Sequence, residues 1–316
     1  MKKVLLIALL ASTQAFAQTS STSVSTTSEN AGTSTIKAGE ATKNADRKDI
    51  DQEITNAKLR ASTGSKSKWS FQSALGYNGG SIEKPFDRTR PMLSASSSVD
   101  LLTSIAGDVS VKYRLTDHQN LNAGTGVALV TPGHTGQKSQ VQNPYIQWSH
   151  VGKLGDLQSI VSASGLYYSQ DRARNVSKLD TAVGADHTIM YSVGTTGIDI
   201  GANYGASYNF YQDNDTAQDV KGGNTERDDL SLAAFLMAEY AFNDKVSLRT
   251  VYRGLEFLHL RGEDFGHFRQ TDPTQSFGVG MAVTRDIYLY PNIQWVWGDI
   301  RADKTNVALS TNINLF

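Results

Sequence analysis

The sequence contains no cysteine, which removes disulfide frameworks, thiolate metal sites and cysteine nucleophiles together. It also lacks an excess of charge: 30 basic residues stand against 31 acidic ones, so there is no basic field for nucleic acid. A run of about 18 consecutive apolar residues, the minimum for a membrane-spanning helix, is missing as well. With 39% apolar residues and a mean hydropathy of −0.35, the average composition is that of a soluble chain of one or two domains. An average conceals periodicity, so the segments have to be read one at a time.

What is present begins with an export signal. Lys2 and Lys3 precede the apolar residues 4–10, and Ala15-Phe16-Ala17 forms a small-x-small site before Gln18. In that order the three parts make residues 1–17 a secretory signal peptide. Cleavage would take two of the 30 basic residues, leaving 28 − 31 = −3. Residues 18–45 are rich in Ser, Thr, Ala and Gly and hold no aromatic. They cannot bury enough apolar surface to offset the entropy of ordering, and are expected to form a disordered leader. Residues 46–62 are good helix formers in which Ile50, Ile54, Ala57 and Ala61 share one face, and Asp49 and Gln52 have capping-box spacing. This short amphipathic helix would lie either in the periplasm or as a plug in the body that follows.

From Lys68 onward the period is two. Gly201, Asn203, Gly205, Ser207 and Asn209 alternate with Ile200, Ala202, Tyr204, Ala206, Tyr208 and Phe210. Leu230, Leu232, Ala234, Leu236, Ala238, Tyr240 and Phe242 share one face of the next run, and Phe277, Val279, Met281 and Val283 share one of a third. These runs exceed the five or six residues usual in soluble sheets and match the length of a tilted membrane strand. Connections alternate as well. Short ones fall near 116–119, 153–156, 195–197, 243–245 and 284–286, and longer polar ones at 131–140, 171–184, 213–228 and 259–273. A soluble sandwich has no reason for that asymmetry, whereas an outer-membrane barrel has short periplasmic turns and long outer loops. The predicted strands lie near 68–78, 104–115, 119–130, 141–152, 156–170, 185–195, 197–212, 229–242, 245–258, 274–284, 287–299 and 304–316. The fold class is therefore all-β: an antiparallel transmembrane barrel of about twelve strands over 68–316. Residues 91–106 leave open an extra strand, an outer loop or a short helix, and an even strand count favours the loop.

Aromatic residues should collect in two belts at the membrane interfaces. The upper strand ends carry Tyr77, Tyr167, Tyr208, Phe210, Trp295 and Trp297, and the lower ends Tyr113, Trp148, Tyr240, Phe242 and Tyr288. The last residue is Phe316. In these features the chain resembles Gram-negative outer-membrane β-barrel proteins of the small porin type. That resemblance implies residence in outer-membrane lipid and makes Phe316 the C-terminal signal read by the barrel-assembly machinery. One departure stands out: Val307, Leu309, Ile313 and Leu315 have the opposite phase to Phe316, which Asn312 and Asn314 share. The segment EITNAKLRASTGSKSKWSFQSALGYNGG also resembles uncharacterised outer-membrane proteins of predatory bacteria, which implies no activity.

The inward phase is polar and holds the candidate lumen-lining residues Lys112, Arg114, Asp199, Glu239, Arg249 and Arg253, with Asn203, Asn209, Asn292, Gln294, Asn306 and Asn312. Keeping Tyr240 and Phe242 on the face of Val246 and Leu248 sets Phe242 opposite Val246. Glu239 then lies opposite Arg249, giving a cross-strand ion pair, with Arg253 one step higher. Such charges either brace the wall or select anions or polar solutes. Twelve strands enclose more room than eight and less than sixteen. The reading is a channel for passive diffusion of small hydrophilic solutes or ions, without catalytic residue, metal or cofactor. Two other classes remain: a surface protein whose outer loops, such as 213–228, bind a partner, and an integral outer-membrane lipid hydrolase. For the last, Ser149 and His150 point to opposite faces, and His259, Glu263, Asp264 and His267 have no metal-motif spacing.

Overall fold

The computed structural model describes residues 53–91, 93, 101–220 and 223–315. The expected signal peptide, the leader, residues 46–52 and Phe316 lie outside the described residues. Twelve long strands make up the body: β1 Trp69–Ser81, β2 Ser104–Arg114, β3 Gln119–Val130, β4 Lys138–Leu154, β5 Leu157–Tyr167 and β6 Leu179–Ser192. They continue as β7 Ile198–Tyr211, β8 Asp228–Ala241, β9 Val246–Leu260, β10 Thr274–Thr284, β11 Ile287–Val296 and β12 Asn306–Leu315. Each pairs antiparallel with its sequence neighbours, and β1 pairs with β12 through Phe71↔Leu315, Ser73↔Ile313 and Tyr77↔Leu309. The sheet is thus a closed barrel with no free edge, the only sheet form that leaves no backbone group unpaired in lipid. The turns 115–118, 155–156, 193–197, 242–245 and 285–286 crowd one end, and the long connections the other. By that asymmetry the turn end is periplasmic and both described chain ends lie there.

Alternation sorts the wall. Outward residues such as Phe71, Val111, Ile146, Val183, Ile200, Leu236, Phe277 and Val279 are exposed, while their neighbours Gln72, Lys112, Gln147, Asn203, Ser276 and Asn292 are buried inside. This is the reverse of a soluble barrel. Several polar groups on the outer wall find partners within it. Ser159 Oγ lies 2.8 Å from His187 Nε2, and His187 Nδ1 lies 2.7 Å from Tyr204 Oη. Thr311 and Thr125 donate to the carbonyls of Leu75 and Gln142. Hydrocarbon offers no replacement partner, so sideways bonding is what lets these side chains face it.

Two expectations need correction. Tyr288 is not a belt residue: on β11 the outward phase is Leu289, Ile293 and Trp295, so Tyr288 and Tyr290 are buried in the lumen. The helix expected over 46–62 is not continuous, because Ile54–Asn56 leave helical geometry and Asn56 caps a new helix, α1 Ala57–Ser62. In 91–106 the described residues form the favoured outer loop, in which Leu101–Leu102 pairs with Thr89–Arg90 as a short ribbon before β2 begins. A bulge also breaks the phase of β9. Ala234 pairs with Leu255 and Phe235 with Arg253, which leaves Gly254 as the extra residue. A Cβ there would come within 2.1 Å of the Tyr252 ring, so a larger residue would have to displace that ring, which packs on Trp297 with centroids 5.2 Å apart. Below the bulge Arg249, Val251 and Arg253 face inward; above it Glu256 and Leu258 do.

The wall polarity is directly testable. Leu236→Arg should cost about 2–4 kcal/mol near the bilayer centre, whereas Ser310→Arg, on the lumen face, should leave stability nearly unchanged. Urea unfolding of the barrel from lipid vesicles reads both. Equal costs would contradict the inside-out assignment.

Candidate functional site

The interior is entered by the chain itself. Residues 53–65 cross the periplasmic mouth before turning up into β1, and Asn56 organises the crossing. Its backbone N–H donates to Gln158 Oε1 at 2.7 Å, and its Nδ2 donates to Asp199 Oδ2 at 2.6 Å and to Glu239 Oε2 at 3.4 Å. Its Oδ1 accepts from the N–H groups of Lys58 and Leu59 at 3.0 and 3.1 Å, the side-chain cap that starts α1. Gln158 also donates to Thr55 Oγ1 at 3.0 Å. Further along, Asn314 Nδ2 donates to the Ala61 carbonyl at 2.9 Å, Arg285 to that of Gly64 at 3.1 Å and Arg114 to that of Ser65 at 2.5 Å. Gly64 has φ +80°, and a Cβ there would meet Lys112 and Ser70; only glycine makes that exit turn without strain.

Apolar packing completes the seat. Ile54 and Leu59 have no exposed surface and form one cluster with Val151, Ile160, Met190, Ala233, Phe235, Met237 and Val251 of the inner wall. The lumen is therefore not polar throughout. Strands β4 to β9 present an apolar socket, while β1 to β3 and β12 present Gln72, Asp108, Asn122, Asn306, Asn312 and Asn314. Burying two aliphatic side chains contributes about 1.5–3 kcal/mol each. A cavity of about 130 Å³ remains beside the plug, lined by Asn56, Arg60, Asp199, Glu239 and Tyr288 and reaching the turn residues Asn243 to Lys245.

The six candidate lining residues all face inward, but in different settings. Lys112 is buried and Arg114 is tied to the plug. Asp199 and Glu239 hold Asn56, and Arg249 Nη1 lies 3.0 Å from Glu239 Oε2 in register opposite it. Ser247 Oγ donates to the other Glu239 oxygen. Arg253 is exposed to lumenal space, its guanidinium 5.5 Å from the centre of the Phe235 ring. Ser310 is also exposed there. Sequence reasoning missed Asn56, Gln158, Arg285 and Asn314 as plug anchors. It also missed the socket, whose signal was apolar residues such as Phe235 and Met237 in the phase of Glu239.

The histidines do not assemble a catalytic site with Ser149. His150 lies on the outer face, stacked on Trp148 with centroids 6.4 Å apart, and Ser149 is buried on the inner one. His259 bonds Asp229 at 2.7 Å between the rings of Phe265 and Phe268, and the His267 N–H donates to the Asp264 carbonyl. The Ser159–His187–Tyr204 row has the connectivity of nucleophile, base and orienting group. It stands mid-ladder on the lipid wall, however, between the partners of Ser159 on either side, Gly152 and Ile189. Backbone amides committed to ladders cannot supply oxyanion donors. No group of three or more potential metal ligands occurs among the described residues.

No protein-family model and no curated protein matches the chain. Solved structures do. A NanC porin structure is 12% identical over 77% of this chain and 97% of its own, with a TM-score of 0.42. An outer membrane channel from Pseudomonas putida F1 is 13% identical, over 79% and 96%, with a TM-score of 0.49. The KdgM porin in complex with disordered oligogalacturonate is 8% identical, over 78% and 99%, with a TM-score of 0.43. At such identities the likeness is one of barrel architecture.

Proposed function

We propose that the chain is an outer-membrane channel for passive diffusion of small hydrophilic solutes or ions, and that residues 53–65 limit passage at its periplasmic mouth. The observation that carries this reading is the inverted wall: apolar side chains outside, a polar interior, and Arg253 and Ser310 accessible inside it. Lys112, Arg114, Asp199, Glu239, Arg249 and Arg253 line the route, the first five bracing the wall and plug and Arg253 meeting the solute. The wall is suited to outer-membrane lipid, and Phe316 would serve assembly.

Single-channel recording of the mature protein in planar bilayers tests the reading. The intact chain should conduct weakly, and the chain lacking residues 18–66 should show larger unitary conductance. No conductance from either would overturn the channel. Asn56→Ala removes the cap of α1 and two bonds to the wall. At about 1–2 kcal/mol, it should raise the open fraction roughly five- to thirty-fold with unitary conductance unchanged. Asn56→Asp, which sets a third carboxylate beside Asp199 and Glu239, should loosen the plug further.

A further inference from the structure

We propose that the lumen immediately above the plug holds a site for a small oxyanion, a carboxylate or a phosphate, built from Arg249 and Arg253 of the wall and Lys58 of the plug. The inference names the solute class of the proposed channel and rests on that reading for transport alone, since binding is measured separately.

Arg249 and Arg253 lie on the same inner face of β9. Leu59 packs in the cluster that contains Phe235, Met237 and Val251, and the Lys58 ammonium is near enough to Arg249, Glu239 and Arg253 to feel their charges. Of these three cations only Arg249 has a carboxylate at ion-pairing distance among the described residues, Glu239 at 3.0 Å. Its Nη2 rests against Met237 Sδ at 3.4 Å, and its Nε is buried without a hydrogen-bond partner. Arg253 touches the Phe235 ring and lumenal space.

The carboxylates close by are already engaged. Glu239 accepts from Arg249, Ser247 and Asn56, Asp199 accepts from Asn56, and Glu256 accepts from Thr271 Oγ1 at 3.0 Å. Three carboxylates thus stand against three cations, but among the described residues only Glu239 comes within ion-pairing distance of one, Arg249. Burial first, and then Arg249, push the Lys58 ammonium well below its ordinary range, against the opposing pull of Glu239. An oxyanion relieves this, and the Arg253 guanidinium, exposed to the lumen, offers it paired N–H donors. Low-dielectric walls strengthen the attraction relative to bulk water. Because Lys58 belongs to the plug, a bound anion also holds the plug in its seat, and seating the plug completes the site.

The test uses the mature full-length barrel in detergent micelles, with thermal unfolding followed at constant ionic strength in sodium phosphate, sodium acetate or sodium chloride. Phosphate or acetate should raise the midpoint saturably beyond chloride, and the response of each anion separates the two sources of the oxyanion. Arg253→Gln and Lys58→Gln should each weaken the apparent affinity tenfold or more. Arg253→Lys should retain part of it, and Lys84→Gln in an outer loop should match the parent. Equal shifts in all three anions, or shifts undiminished in Arg253→Gln and Lys58→Gln, would overturn the site. Saturable binding without bilayer conductance would sink the channel reading and leave the site standing. Conductance without anion-specific stabilisation would do the reverse.

Discussion

A strand edge cannot remain unpaired in hydrocarbon, and nearly everything else in this protein follows from meeting that constraint. Pairing β1 with β12 closes the sheet and satisfies every strand through its neighbours. Closure gives each strand a lipid side and an inner side, and so imposes the period of two. Polar groups on the lipid side must then bond sideways, as Ser159, His187 and Tyr204 do. It also creates an interior that twelve strands make too wide for wall side chains alone to fill. Water, solute or another piece of chain has to occupy it.

Here the chain supplies part of the filling. Asn56 can serve as a hub because an asparagine amide donates and accepts at once: its oxygen starts α1 while its nitrogen reaches two wall carboxylates. The carboxylates have partners on both sides, since Glu239 also holds Arg249 across the β8–β9 ladder. Breaking one partner leaves the others buried and undercompensated, which costs more than the lost bond. Plug and wall are therefore one packed unit, although they belong to different stages of the chain.

The fold was legible in the sequence because closure writes itself into local pattern. Alternation, turn asymmetry and the Tyr240–Leu248 phase rule gave the twelve strands and set Glu239 opposite Arg249 without reference to distant contacts. The rule fails where the phase breaks. Gly254 reads as one more small residue, yet it is the bulge that lets Arg253 and Glu256 both face the lumen. Tyr288 was assigned by its position at a strand end, although its own strand gave it the phase of Asn292. The plug was beyond local reasoning for a different reason. The partners of Asn56 lie 102, 143 and 183 residues away, and no periodicity links a helix cap to wall residues that far along the chain. The socket left a trace, in Met190, Phe235 and Val251 standing among polar residues, but an apolar residue in a polar phase has no meaning until something is known to sit against it.

The apolar socket decides which state of the lumen is the resting one. With the plug withdrawn, Val151, Ile160, Phe235 and Met237 would face water inside the barrel, and Ile54 and Leu59 would face the periplasm. Their burial alone favours the seated plug by about 3–6 kcal/mol. The polar anchors add less, because water replaces much of what Gln158, Arg285 and Asn314 provide. A bias of 3 kcal/mol already keeps the withdrawn state below about 1%. The polar strip on β1 to β3 and β12 gains nothing from the plug's apolar face, so it is the side along which a hydrated solute can pass at least cost. Rapid diffusion then requires either a path along that strip past a seated plug or a ligand or force that offsets a few kcal/mol. Both routes run past Arg253, which stands above the plug whether or not the plug moves.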